Sequence, residues 1–320
     1  MIGIVSSKDD VHALAVRQHL DSLGAEHLLM DTSYFPTRVE LTTTQQPATG
    51  WTGRWAVEQL DHDLARLGAM WWRRPQPFAL HDAITNGEDR AFAHGECAAM
   101  VAGLWDCLDA EWVNDPDRDE AASRKMRQLR LASELGLRVP RTCMTNSPEK
   151  AREFIVAEPG EVVYKSFSAT ARTWRETRPV RGNDLELIDR VALAPVIFQE
   201  AIPPGADVRV TITGDDVFAA EIRPGEAAYE YDFRVDQRPR ITPHELPAGV
   251  EKRLLHMMQR FGLRYGAVDL RRAPDGDYVF LEINPAGQWL FVEVATGQPI
   301  SWSLAVMLVR LDHDLDRSAP

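Results

Sequence analysis

The chain has 320 residues, of which 44% are hydrophobic and 26% charged. That balance excludes a mostly disordered chain, and no apolar run approaches the roughly 18 residues of a spanning helix, which excludes a transmembrane helix. Acidic residues outnumber basic ones 48 to 36, for a net charge of −12. Such a field repels nucleic acid and anionic membrane, so neither is an expected partner.

The opening MIGIVSSKDD meets acid at Asp9 and Asp10 before a signal-peptide core can form. Cys97, Cys107 and Cys143 contain no C-x-x-C pair. Both features point to the reducing cytoplasm and to free, buried thiols. Residues 2–5 (IGIV) are a short apolar run. Over 9–23, Val11, Leu14, Ala15, Leu20 and Leu23 fall near helical spacing, and Gly24 follows as a stop. HLLM at 27–30 is a second apolar run, so the chain opens strand–helix–strand, which implies a parallel pair. No G-x-G-x-x-G follows the first strand, so the dinucleotide fingerprint is absent.

Residues 38–56 read as extended and turn-rich, 57–67 as helix, and 69–72 as a buried strand ending in Arg73-Arg74-Pro75. A long helix is expected over 88–108. Asn114-Asp115-Pro116-Asp117 breaks the chain and caps the next helix. The predicted division is an N-terminal α/β lobe over 1–114 and an α+β lobe over 115–320. One helix is expected from about Arg118 to Leu135, ending at Gly136. Val139-Pro140 starts an extended segment, and Ser147-Pro148 caps a helix running through Val156. Short strands follow at 161–166, 196–201, 207–213, 217–223, 266–271 and 277–283, with helices at 184–191 and 248–261.

The strongest chemical constellation is Asp269 with Glu282-Ile283-Asn284, on two strands joined through Pro274-Asp275-Gly276. With Asp275-Gly276 as a two-residue loop, 269 faces 282 and their Cβ atoms lie about 4.5–5.5 Å apart. A three-residue loop with a glycine bulge slips that register by one, and both remain open. Opposed carboxylates repel, and a divalent cation between them reverses the sign. Asn284 shares the face of Glu282 and adds a neutral oxygen, while Leu281 and Ile283 are expected to point into the core. All-oxygen ligands suit Mg²⁺ or Mn²⁺ rather than zinc.

Lys165, in VVYKSF, reads either as a snorkelling edge-strand lysine or as a point charge for phosphate. Lys125, among Arg124, Arg127 and Arg130, reads by its surroundings as part of a solvated face. In FQEAIPPGADVRV (198–210) a strand meets a hinge, then a second strand places Asp207 and Arg209 on one face. Arg209, Arg223 and Arg234 concentrate positive charge, which suits phosphate and carboxylate. No Ser-His-Asp or Cys-His arrangement is visible, and the nine histidines show no metal spacing.

The order of these features resembles the ATP-grasp fold: Lys125, Lys165, QEAI at 199–202, Asp207, DLR at 269–271 and EINPAGQW at 282–289. With MWWRRP, FAAEIR and DFR, the chain is similar to the ATP-grasp ribosomal peptide maturases, the graspetide synthetases, which make side-chain ester or amide macrocycles. The resemblance implies an ATP-grasp domain behind an N-terminal pre-ATP-grasp lobe. It implies that Lys125 and Lys165 hold ATP phosphates, that Glu200, Ala201 and Ile202 line the adenine, and that Asp207 meets the ribose. Asp269, Glu282 and Asn284 would hold Mg²⁺, two ions being expected. The stretch 166–182 would close over the nucleotide. Arg209, Arg223 and Arg234 would neutralise charge during transfer, and Arg73 and Arg74 would meet the substrate.

The implied partner is a precursor peptide carrying acidic and Ser, Thr or Lys side chains, and the expected assembly is a homodimer or higher homo-oligomer. An amino-acid ligase acting on a carrier protein or small peptide is the competing enzyme. The intact Asp269, Glu282 and Asn284 argue against a nucleotide-binding regulator without turnover.

Overall fold

A computed structural model describes residues 1–48, 50–167, 177–203, 205–223 and 239–318. The chain opens β1 (Ile2–Val5), α1 (Val11–Ser22) and β2 (His27–Met30). Asp10 caps α1 by accepting from the His12 N–H at 2.9 Å. Next come β3 (Val39–Gln46), β4 (Gly50–Val57), β5 (Leu60–Asp63), β6 (Ala69–Trp72), the long α2 (Gly87–Cys107) and β7 (Glu111–Val113). The parallel sheet β2-β1-β6-β7 is the expected α/β opening.

The helix expected over 57–67 is absent. Leu60–Asp63 instead pairs antiparallel with β4, Arg54 opposite Asp63, followed by a short 3₁₀ turn at Leu64–Arg66. Leu60, Leu64 and Leu67 have helical spacing, but Leu60 is 63% exposed while Leu64 and Leu67 are buried beside Trp55. The pairing is reinforced by the Arg54 guanidinium, which holds Asp61 at 2.6 Å and Asp63 at 3.5 Å.

Next come α3 (Pro116–Ser123), α4 (Lys125–Glu134), β8 (Thr142–Thr145), α5 (Pro148–Ala157), β9 (Val162–Lys165), β10 (Arg178–Pro179), α6 (Gly182–Glu186) and β11 (Val196–Glu200). The single helix expected over 118–135 is broken at Arg124, whose φ −73°, ψ 109° are extended. Gln128 explains the break. It is 1% exposed, and its Nε2 donates to the Ala122 carbonyl at 2.7 Å and to the Ile283 carbonyl at 2.8 Å. The helix expected over 184–191 is replaced by α6 and a 3₁₀ turn at Ile188–Leu193.

The remainder is β12 (Ala206–Thr213), β13 (Asp216–Arg223), β14 (Arg240–His244), α7 (Ala248–Phe261), β15 (Tyr265–Arg272), β16 (Tyr278–Asn284), α8 (Leu290–Thr296) and α9 (Ile300–Ser318). The last two helices carry no expectation from the sequence. Besides the antiparallel β3-β4-β5, two larger antiparallel sheets result, β10-β9-β11-β8 and β14-β13-β12-β15-β16. One face of the larger is sealed by α7: Val250, Leu254, Met257, Met258 and Phe261 pack on Val208, Val210, Val268, Leu270, Phe280 and Ile283. Strand alternation sends Arg209, Asp269 and Glu282 to the opposite face.

The lobes share a core. Ile300, Leu304, Ala305 and Leu308 of α9 and Trp289 pack with Ile2, Ile4, Val16 and Trp71. Burying each large aliphatic side chain here stabilises the junction by at most about 1.5–3 kcal/mol. Trp289 donates to Ser301 Oγ at 2.8 Å, which satisfies its buried N–H. The thiols are unpaired, but Cys107 is exposed and Cys143 half-buried, so only Cys97 is buried as expected. Among the described residues no helix is long and apolar enough to cross a membrane.

Candidate active site

Asp269 and Glu282 are cross-strand partners on β15 and β16, as the two-residue loop predicts, but the route differs. At the turn Arg272 faces Tyr278 and Leu270 faces Phe280, the slipped register of a three-residue loop with Gly276 at φ 91°. An irregularity after Asp269 takes up Leu281 as an extra residue and restores the opposition. Leu281 therefore leaves the core face expected of it and packs against Ile202, Ala273 and Val279. Ile283 is fully buried, as expected.

Asn284 joins both acids, its Nδ2 donating to Glu282 Oε1 at 3.1 Å and Asp269 Oδ2 at 3.4 Å. Lys125 Nζ donates to Glu282 Oε2 at 2.7 Å, and Arg209 Nη1 to Asp269 Oδ1 at 2.8 Å. Burial pushes the Glu282 carboxyl up, but Lys125 and Lys165, with the Lys125 and Asn284 hydrogen bonds, hold it well below the usual carboxylate range. Lys125 is the first residue of α4, where a cation opposes the helix dipole, and the Glu282 carboxylate offsets that.

Lys165 Nζ lies 3.0 Å from the acceptor Gln199 Oε1, and Gln199 Nε2 donates to Thr142 Oγ1 at 2.9 Å. Among the described residues of the cluster, Lys125, Lys165 and Arg209 outnumber Asp269 and Glu282 by one positive charge, in a chain of net charge −12. Such a spot attracts phosphate.

Beside the cluster lies the hinge. Ile202 is buried with Ala273 and Val279, an apolar wall suited to a flat base. Glu200 Oε2 accepts from the Arg141 N–H at 3.1 Å, and the Ala201 N–H donates to the Glu161 carbonyl at 2.9 Å. Asp207 is gripped by Arg271 through Nε at 2.8 Å and Nη2 at 3.1 Å. A carboxylate has about four acceptor positions, so two remain for other donors.

The arginines separate. Arg209 is 7% exposed and belongs to the cluster. Arg223 shares the α7 face of β13 with Ala219 and Glu221, and its Nε donates to Glu221 Oε1 at 2.6 Å. It is thus not grouped with Arg209. Arg234 lies outside the described residues, as do 168–176 within the stretch read as closing over the nucleotide. Arg74 is exposed. Arg73, expected to face a substrate, is 1% exposed at the lobe junction. Its Nε donates to Asp10 Oδ2 at 3.1 Å and its Nη1 to the Ala286 and Gly287 carbonyls. The strand exit turns it inward onto Trp289, 5.2 Å from the ring centroid. Sequence reading also missed Gln128, Asn114 and Arg271 as supports; only the DLR motif flagged the last.

Residues 1–120 match the family described as the MvdD pre-ATP grasp domain. The structure is similar to the macrocyclase MdnC of Microcystis aeruginosa bound with precursor peptide MdnA, at 30% identity and TM-score 0.86, covering 97% of this chain and 99% of that one. It is similar to a Chryseobacterium gregarium RiPP-associated ATP-grasp ligase in complex with ADP and a leader and core peptide, at 28% identity and TM-score 0.87, over 97% and 96%. A probable alpha-L-glutamate ligase of Chromohalobacter salexigens is 28% identical over 258 residues, 77% of this chain and 80% of the relative. With its α/β opening, its two larger antiparallel sheets and its Lys–Glu–Asn–Asp–Arg cluster, the chain belongs to the ATP-grasp family of ribosomal peptide macrocyclases.

Proposed function

We propose that the chain is an ATP-dependent ligase that closes side-chain rings in a ribosomally made precursor peptide. An Asp or Glu carboxylate of the peptide takes the γ-phosphoryl group of ATP, ADP leaves, and an acyl phosphate results. A Ser or Thr hydroxyl, or a Lys amine, then attacks the acyl carbon and phosphate departs. The product is an ester or amide, and each ring removes one water from the peptide. A bare carboxylate resists such attack because oxide is a poor leaving group. The chain's residues do the positioning and the charge neutralisation.

The observation that carries this reading is the half-buried convergence of Lys125, Glu282, Asn284, Asp269 and Arg209 beside one sheet face. Lys125 and Lys165 hold phosphate oxygens. Glu200, Ala201 and Ile202 line the adenine, and Asp207, oriented by Arg271, accepts from the ribose. The two carboxylates and the Asn284 amide oxygen, turned inward in place of the Nδ2 that now donates to both acids, would make an all-oxygen donor set of the kind Mg²⁺ takes, with two ions proposed. Among the described residues no group of three or more His, Cys, Asp or Glu forms a metal site, so the amide is needed as a donor. Bound there, Mg²⁺ would neutralise phosphate charge. Arg209 faces the same charge, while Arg74 is the exposed candidate for the peptide.

The setting is cytoplasmic and the assembly a homo-oligomer in this reading, the latter checked by light scattering. The test is mass spectrometry of a neighbouring-gene peptide co-expressed with the enzyme, which should lose one water per ring. The similarity to a glutamate ligase favours a second reading, addition of free glutamate to a carrier. Glutamate-sized mass gains on a carrier, with no dehydration of the peptide, would select it.

A further inference from the structure

Three successive backbone carbonyls directly after Asn284 are gripped by buried side chains. The Pro285 carbonyl accepts from Asn114 Nδ2 at 3.1 Å. The Ala286 carbonyl accepts from Arg73 Nη1. The Gly287 carbonyl accepts from Arg73 Nη1 at 3.1 Å and from the Tyr265 hydroxyl at 2.9 Å. Arg73, Asn114 and Tyr265 are each 1% exposed.

Two of the gripping side chains are themselves held. Asp10 accepts from Arg73 Nε at 3.1 Å and from Ser6 Oγ at 3.0 Å, which ties the guanidinium to the start of α1. Asn114 Oδ1 accepts from the Arg264 and Tyr265 N–H groups at 2.8 and 3.0 Å, and its Nδ2 also reaches the Tyr265 carbonyl at 2.9 Å. The turn is tight. The Gly287 N–H donates to the Asn284 carbonyl at 3.0 Å, and a Cβ on Gly287 would fall 2.3 Å from the Cβ of Ala267, the cross-strand partner of Asn284.

Asn284 is the last residue of β16, where a strand end would otherwise be free to fray. A neutral amide is a weak ligand and contributes only if its oxygen is held in place. We propose that Arg73, Asn114 and Tyr265 are positioning residues that hold Asn284 as a metal ligand, so that divalent-metal affinity depends on two side chains from the segment before α3. The inference rests on the reading of Asp269, Glu282 and Asn284 as the metal site. Arg73 suits the task because one planar guanidinium reaches Asp10 and two carbonyls together, which a lysine cannot.

The test measures Mn²⁺ binding by electron paramagnetic resonance in the presence of ADP, with the KM for Mg²⁺ in turnover as a second readout. Outer-shell partners of metal sites are typically worth about 10–100-fold in metal affinity. Arg73→Lys should weaken Mn²⁺ by that order and raise the KM for Mg²⁺ more than it lowers kcat. Tyr265→Phe keeps the buried shape, removes one hydrogen bond, and should weaken Mn²⁺ several-fold in a protein with native near-ultraviolet circular dichroism. It therefore decides the matter if Arg73→Lys fails to fold. Wild-type Mn²⁺ affinity in folded Tyr265→Phe, or in folded Arg73→Lys, overturns the proposal. Asp269→Ala separates the two levels: if it leaves Mn²⁺ binding unchanged, the metal-site reading itself falls and the positioning role falls with it.

Discussion

Lys125 and Glu282 lie 157 positions apart in the chain, yet Nζ and Oε2 meet at 2.7 Å, with side chains only 17% and 19% exposed. The first residue of α4 thereby touches the strand that carries two of the three proposed metal ligands. Breaking such a pair from one side leaves a poorly solvated charge.

Lys125→Met should therefore destabilise the protein by about 1–3 kcal/mol at neutral pH, the partial exposure tempering the cost. The depressed Glu282 carboxyl contributes stability above its unfolded value, lost as pH falls through the folded one. In Lys125→Met that loss should begin at higher pH. Adding Glu282→Gln should recover part of the stability but not the activity, as read by denaturant titration of the double-mutant cycle.

Asp269→Ala should lower turnover by about a hundredfold or more, as loss of a central charge-stabilising contact does. Simple repulsion between the acids would make the variant more stable. Arg209, 7% exposed and paired with Asp269 at 2.8 Å, reverses that expectation. The variant should melt below wild type, and Asp269→Ala with Arg209→Met should melt above Asp269→Ala alone. Full ring formation by Asp269→Ala would sink the site assignment.

Lys165→Met should weaken ATP binding about 10–100-fold, the worth of roughly 1.5–3 kcal/mol for a hydrogen bond to a charged group. Isothermal titration with ATP and magnesium measures it. An unchanged affinity returns Lys165 to a purely structural contact with Gln199.

Asp119 gives a pH prediction. Burial pushes its carboxyl up to about 7, against a smaller opposing effect of Asn114, and its Oδ2 is buried with no hydrogen-bond partner among the described residues. It lines a cavity of about 490 Å³ with Trp72, Phe78 and Trp105. Between an unfolded value near 4 and about 7, the unfolded chain binds fewer protons than the native one, so this group makes stability fall as pH rises. Asp119→Asn should be more stable than wild type at pH 8 by about 1–3 kcal/mol, the advantage shrinking towards pH 4. Equal melting of the two proteins at pH 8 would refute it.

The amino-acid sequence by itself determined those features set by local pattern. The amphipathic run 248–261 became α7 at the expected residues, because one face of a helix must be apolar to cover a sheet. The opening strand–helix–strand and the strands at 207–213 and 217–223 were legible for the same reason, since period and alternation act over a few residues. The opposition of Asp269 with Glu282, by contrast, was one of two open registers and was decided by the irregularity after Asp269. The ordered lysines and acids made the family resemblance legible as well.

Tertiary structure alone decided where distant groups find partners. The break at Arg124 follows from Gln128 reaching Ile283, 155 positions away, and no local signal marks it. Leu60–Asp63 is a strand because β4 offers an edge, although its leucine spacing also fits a helix. Arg73 looked like a substrate-facing charge after a buried strand, yet carbonyls 213 and 214 positions on accept from its Nη1. Arg223 follows the strand of Arg209 but shares the face of Glu221, since the register of β13 against β12 sets the side. A charged side chain's role depends on which desolvated partner lies within about 3 Å, and that distance exists only once the chain has folded.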